Sequence, residues 1–142
     1  MKYHRKAYLA TSLSFGRNLG FVYELAKVIE ACGYEIASKW VLDEDPSWGL
    51  NAEQIKERDL KAIEDSDLLV ADITKPSIGV GMEMMYALMK GKQVICITKK
   101  GLPISGLIRG EREIKIIILK QGEELKERLK KELMTDDERE NR

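Results

Sequence analysis

Residues 68–83 read LLVADITKPSIGVGME. The run from Leu68 to Ala71 has no polar alternation, and a short run of that kind marks a strand buried on both faces, as in a parallel sheet. Asp72 closes the strand, Pro76 and Ser77 form a turn, and Gly79 and Gly81 bracket Val80 just ahead of Glu83. From Val80 the spacing becomes helical and predicts a helix to Lys90, stopped by Gly91. Strand, glycine-bearing turn and helix in that order make up most of a βαβ unit.

The rest of the chain repeats the pattern. Ala7 to Ala10, Val94 to Ile97 and Ile114 to Leu119 are further buried strands, and Tyr34 to Ala37, behind the helix-stopping Gly33, is a weaker one. Between them, Val22, Leu25, Ala26 and Ile29 fall at the spacing of one helical face; Ala52 to Asp65 reads as a second helix, and Glu123 to Met134 as a terminal one with Leu125, Leu129 and Leu133 in register. Alternation of this kind predicts an α/β fold, a flavodoxin-like or Rossmann-like three-layer sandwich around a five-stranded, mostly parallel sheet. Ligands of such sheets bind beyond the carboxyl ends of the strands where strand order reverses, which singles out residues 12–17 and 72–81. One domain over residues 1–134 is expected, with a polar, frayed tail at 135–142. Residues 39–51 have no clear period and read either as a lid or as an ordinary irregular connection.

Composition narrows the function. The 24 basic side chains balance the 24 acidic ones, so no overall field attracts a nucleic acid polymer or an anionic membrane, and any anion must be bound locally. No run of about 18 apolar residues and no signal-peptide pattern is present, which leads us to expect a cytoplasmic protein. Cys32 and Cys96 lack metal-ligand or CxxC spacing and read as reduced, buried thiols. His4, the only histidine, lies in the charged leader, which argues against a Ser-His-Asp triad or a histidine metal site. No metal and no organic cofactor is expected. A GxxxxGK[ST] loop is absent, and the glycines after the third strand do not make the GxGxxG of a dinucleotide site.

Two carboxylates remain. Glu83, placed near the start of a helix, is expected to be ionised by the helix dipole; it is either a nucleophile beside an anion site or merely a complement to that dipole. Asp59 interrupts the inward stripe Ala52, Ile55, Ala62, Ile63 of its helix. A lone acid on an apolar face is either structurally paired or held protonated, the state of a general acid. Its neighbours Glu57 and Arg58, with Glu64 and Asp65, are expected to face solvent. One ionised and one protonated carboxylate suggest cleavage of a sugar C1 bond.

These residues resemble the nucleoside 2-deoxyribosyltransferase superfamily, and more closely its 2'-deoxynucleoside 5'-monophosphate N-glycosidase branch. The resemblance runs from Ala7 to about Gly110 and is carried by AYLATSLSFGR, the RDL of residues 58–60, VADITKPSIGVGME, the A-x-x-x-GK of Ala87 to Lys92, and SGLIRG at residues 105–110. It implies that Glu83 attacks C1' to form a glycosyl ester. Asp59 then protonates the leaving base and later activates water, and Tyr8 orients Glu83. The first-strand tyrosine would otherwise read as a core residue.

The resemblance also implies that the substrate is a nucleoside 5'-monophosphate. Its phosphate would be held by Ser77, the amides of Gly79 and Gly81, Ser12 and Arg17. Ser105 would reach the neighbouring subunit's site, making the protein a homodimer. Where relatives commonly carry Gly-Ser and then arginine, this chain reads Thr11, Ser12, Leu13, Ser14, which assigns Leu13 and Phe15 to the base or to the 2' face of the sugar. Hydrolysis is the leading expectation. Base exchange between deoxynucleosides is the second, and a non-catalytic nucleotide-binding module the third.

Overall fold

The computed structural model describes residues 5–13 and 17–133, so His4, Phe15 and the tail at 135–142 lie outside the described residues. Among them, five strands form one sheet: β1 (Arg5–Ala10), β2 (Tyr34–Ile36), β3 (Leu68–Asp72), β4 (Gln93–Lys99) and β5 (Ile114–Leu119). Every neighbouring pair is parallel, in the order β2-β1-β3-β4-β5, so the sheet is wholly rather than mostly parallel. The uninterrupted apolar runs have the expected cause. All five residues of β3 are buried, because helices cover the sheet on both sides.

The helices are α1 (Leu19–Ala31), α2 (Ala52–Glu64), α3 (Ile78–Met89), the single turn α4 (Gly106–Arg109) and α5 (Leu125–Leu133). The crossover from β1 to β2 runs opposite to those that follow, and right-handed connections then put α1 on one face and α2 and α3 on the other. The contacts agree: α1 packs on α5, and α2 on α3. Val22, Leu25, Ala26 and Ile29 of α1 are all buried, as are Leu125, Leu129 and Leu133 of α5, so both helical stripes face the core. Gly33 and Gly91 follow α1 and α3 with φ of +94° and +73°, a backbone that side-chain-bearing residues seldom adopt.

Two boundaries bear on the site. Ser77 caps α3, its Oγ accepting from the Val80 amide at 3.2 Å, so the helix starts at Ile78 rather than Val80. Asn51 and Gln54 make a reciprocal capping box at the start of α2. The segment between β2 and α2 is more ordered than its lack of period suggests. It opens with a 3-10 turn, Lys39–Leu42, that buries Trp40 and Val41. The Tyr23 hydroxyl donates to the Leu42 carbonyl at 2.7 Å and holds the turn to α1.

Candidate active site

Strand order reverses between β1 and β3, and a cleft of about 630 Å³ opens beyond their carboxyl ends, between α2 and α3. Tyr8 rises from β1, Asp59 from α2 and Glu83 from α3, and all three line the cleft. The Tyr8 hydroxyl donates a hydrogen bond to Glu83 Oε2. A tyrosine buried in the core thus carries its polar end to a carboxylate. The Tyr8 hydroxyl is pushed far up by burial and then by the Glu83 charge, so it stays protonated and can only donate to an ionised Glu83.

Glu83 differs from its sequence-based expectation in one respect. It is the sixth residue of α3, and no acid occupies the first turn, so the helix dipole, which acts within that turn, does little for it. Burial dominates instead and pushes its carboxyl up to about 7; the charge of Asp59 adds to this, while the Tyr8 hydrogen bond and Arg58 oppose it. Asp59 is also raised by burial, with the hydrogen bond and charge of Arg58 pulling it back. Of the alternatives open for Asp59, the structure shows the pairing, while Ala52 of the expected inward stripe is exposed and only Ile63 is fully buried. The partner is its own neighbour, Arg58, whose Nε donates to Asp59 Oδ1 at 2.9 Å. Arg58 does not face solvent. Its guanidinium lies 4.0 Å from the Trp40 ring centre, whereas Glu57, Glu64 and Asp65 are exposed as expected.

Ser12, Leu13, Ser77 and Gly79 line the same cleft. Gly81 and Ser105 lie elsewhere, along a groove of about 770 Å³ between α3 and α4. Ser105 caps α4, accepting from the Leu107 amide, and Arg109 Nε donates to the Ile104 carbonyl. Arg17 is not part of the cleft lining; it donates to the Asp43 carbonyl, and its Nη1 is buried with no hydrogen-bond partner among the described residues. Asp72 holds the loop itself, accepting from Thr11 Oγ1 at 3.3 Å and from the amide and hydroxyl of Thr74 at 3.0 and 2.6 Å.

A Cβ added at Gly79 would meet only Ser77 Oγ at 3.9 Å, and one at Gly81 nothing within 4 Å. Intramolecular packing therefore requires glycine at neither position. Trp40, Thr11 and Lys56 also line the cleft and were not legible as site residues. Thr11 ends an apolar strand run, Trp40 falls in a stretch without period, and Lys56 looks like any lysine on the polar side of a helix. A depression of about 830 Å³ near Phe21 and residues 120–126 contains neither carboxylate and none of the predicted site residues.

The fold and site define a parallel α/β protein of flavodoxin-like topology with two partly buried carboxylates at its switch point. The chain belongs to the nucleoside 2-deoxyribosyltransferase family, whose model matches residues 7–138. A Thermofilum pendens protein assigned by name to the 2'-deoxynucleoside 5'-phosphate N-hydrolases is 36% identical over 110 residues, covering 74% of this chain and 77% of that protein. The mouse 5-hydroxymethyl-dUMP N-hydrolase is 41% identical over a shorter stretch of 58 residues, 39% of this chain and 34% of its own length. Among solved structures, the Clostridium botulinum CMP N-glycosidase BcmB superposes with a TM-score of 0.66 over 91% of this chain and 98% of that one; at 21% identity it supports the fold.

Proposed function

We propose that this protein hydrolyses the N-glycosidic bond of a (2'-deoxy)nucleoside 5'-monophosphate, giving free base and (deoxy)ribose 5-phosphate. The observation that carries the reading is the two carboxylates facing one cleft, with Glu83 held by Tyr8 and raised by burial and by the charge of Asp59. The named activities of the Thermofilum and mouse relatives point the same way. In the reactive form the proton is on Asp59. An ionised Glu83 oxygen attacks C1', the C1'–N bond breaks, and the base leaves with the Asp59 proton. Water then attacks C1' of the ester, Asp59 takes its proton, and Glu83 is released. A chromatographic screen of ribo- and deoxyribonucleoside monophosphates for released base tests this. Base release that requires the 5'-phosphate is expected, whereas tight nucleotide binding with no release over hours would make the chain a binding module.

Family membership favours base exchange as the second reading, with a free base replacing water at the same ester. Incubating a deoxynucleoside with a different base separates the two, since new nucleoside appears only by transfer.

In the hydrolase reading the phosphate lies at the start of α3, against Ser77 and the amides near Gly79, where unpaired helix N–H groups favour an anion. Since the fold leaves room for a Cβ at Gly79, Gly79→Ala should fold normally. Its stability should be unchanged or raised by up to about 1 kcal/mol. It should still lose about 10- to 100-fold in kcat/KM for the monophosphate, because the methyl group blocks backbone approach. Urea unfolding and steady-state kinetics on one preparation check both halves.

The groove with Ser105 shares Pro76, Ser77, Ile78, Val80 and Met82 with the rim of the cleft. Ile78, Met82, Met85 and Met89 of α3 and Leu107 of α4 are exposed, Ile78 and Leu107 by 87% and 83%. An apolar face of this extent suits a second copy of the chain, whose Ser105 would approach the phosphate over that shared rim. Leu107→Asp is therefore expected to sediment as a monomer, with kcat/KM lowered about tenfold or more. A dimeric Leu107→Asp or a fully active monomer would remove the shared-site reading. Cytoplasmic localisation is part of the same proposal; among the described residues no disulfide joins Cys32 and Cys96, and Cys96 is buried as expected whereas Cys32 is only partly so.

A further inference from the structure

On the helical wheel of α2, Arg58 points to solvent, yet its side chain is only 13% exposed. Its guanidinium stacks 4.0 Å from the ring centre of Trp40 and lies 5.7 Å from that of Trp48. Nη1 donates to the Pro46 carbonyl at 2.8 Å, and Nε to Asp59 Oδ1 at 2.9 Å. The arginine thus spans from the segment at 39–49 to a carboxylate that the reaction uses. The segment is itself braced. The Trp40 and Trp48 rings meet edge to face at 5.8 Å, and the Trp48 Nε1 donates to the Asp43 carboxylate, held at 2.5 Å. On its other side Trp40 stands edge-on to Tyr8, with ring centres 6.1 Å apart.

Trp48 is held at a positive φ of 53°, although its ring is half exposed. That conformation costs energy in a residue with a side chain, and core burial does not explain it here; the contacts it makes are with Trp40, Arg58 and Asp43.

We propose that Arg58 is a positioning residue of the active site: Trp40, Trp48 and the Pro46 carbonyl fix the guanidinium, and the guanidinium fixes the Asp59 carboxylate. The kinetic consequences rest on the N-glycosidase reading, whereas the contacts do not. The titratable and charged groups around Asp59 are Tyr8 from β1, Glu83 from α3, and Arg58 and Lys56 from its own helix. The charge of Arg58 lowers both carboxylates, so its removal lets both rise, and a bell-shaped pH profile should move as a whole to higher pH.

The test compares Arg58→Met, Arg58→Lys and Trp48→Ala with the wild-type full chain. It measures pH profiles of kcat/KM for base release and a carbon-13 NMR titration of the Asp59 carboxyl. For Arg58→Met, kcat should fall about 10- to 100-fold and both titrations move up by roughly 0.5 to 1 pH unit. Arg58→Lys should restore the position of the profile but only part of kcat, because an ammonium lacks the planar stack and the sideways N–H. Trp48→Ala, which loses no charge and little buried surface, should lower kcat about 3- to 10-fold and move the Asp59 titration in the same direction by less.

A fall in kcat with both titrations unmoved would make Arg58 a structural prop and overturn the proposal. If Arg58→Met does not fold, wild-type rates and titrations in both other variants would overturn it equally. Because the NMR titration needs no turnover, a chain that releases no base would sink the hydrolase reading while the Arg58 coupling is still read from Asp59.

Discussion

Glu83→Gln is expected to abolish base release, lowering kcat by about 10⁴-fold or more, because an amide oxygen cannot form the glycosyl ester that divides the reaction into two steps. Unchanged release from a panel of monophosphates would show that Glu83 is not the nucleophile. The same substitution should change stability in a direction that follows from burial. The folded Glu83 carboxyl titrates near 7 against an ordinary value of 4.5, so folding favours its protonated form. A group raised in this way contributes fully below its unfolded value, and that contribution is lost as the pH rises through 7. Glutamine carries no charge to bury and can still accept from Tyr8. At pH 8, Glu83→Gln should therefore be more stable than wild type by on the order of 2 to 3 kcal/mol, and near pH 4 the two should be almost equal. Urea unfolding at both pH values measures this. An equal difference at both would mean that the carboxylate is not held against its desolvation.

The layered fold was legible because its signals are local and periodic. Leu68 to Ala71, the stripe Val22, Leu25, Ala26, Ile29 and the stop at Gly91 each depend on residues a few positions apart. Asp59 was legible by the same logic, as a charge out of place on an apolar stripe. Long-range geometry was not. The start of α3 depends on whether Ser77 caps it, and that start decides whether Glu83 sits in the first turn, where the dipole governs, or in the second, where burial does. Arg58 misled for a related reason. Helical phase gives the direction in which a side chain leaves the helix, but here the space in that direction is filled by Trp40 and Trp48 from a stretch with no period of its own. The three residues that complete the site's electrostatics thus come from β1, α2 and α3, and only the sheet order brings them together.

Asp59→Asn is the second substitution from which a large effect is expected, and its result should divide into a rate and a pH dependence. Asparagine has no proton for the departing base, so kcat should fall by about 10² to 10⁴-fold, least for bases that are good leaving groups without protonation. Glu83 is raised to about 7 by burial and by an Asp59 that is already ionised, so the wild-type profile should rise at lower pH, where the two carboxyls lose their first proton, and fall near pH 7, where they lose the last. In Asp59→Asn the falling limb should vanish. What remains is a single rise as Glu83 ionises, at a pH below the wild-type fall near 7, because the Asp59 charge that raises Glu83 is gone. Tyr8→Phe makes the opposite change at the same carboxylate. It removes a hydrogen bond that lowers Glu83, so the Glu83 titration, and with it the fall of the profile, should move to higher pH. Two neighbours that move one titration to opposite sides of pH 7 identify it with Glu83, since a general loss of fold would move both the same way. A falling limb that persists in Asp59→Asn would place the general acid on another residue, and Glu83 would then need a different partner for the departing base.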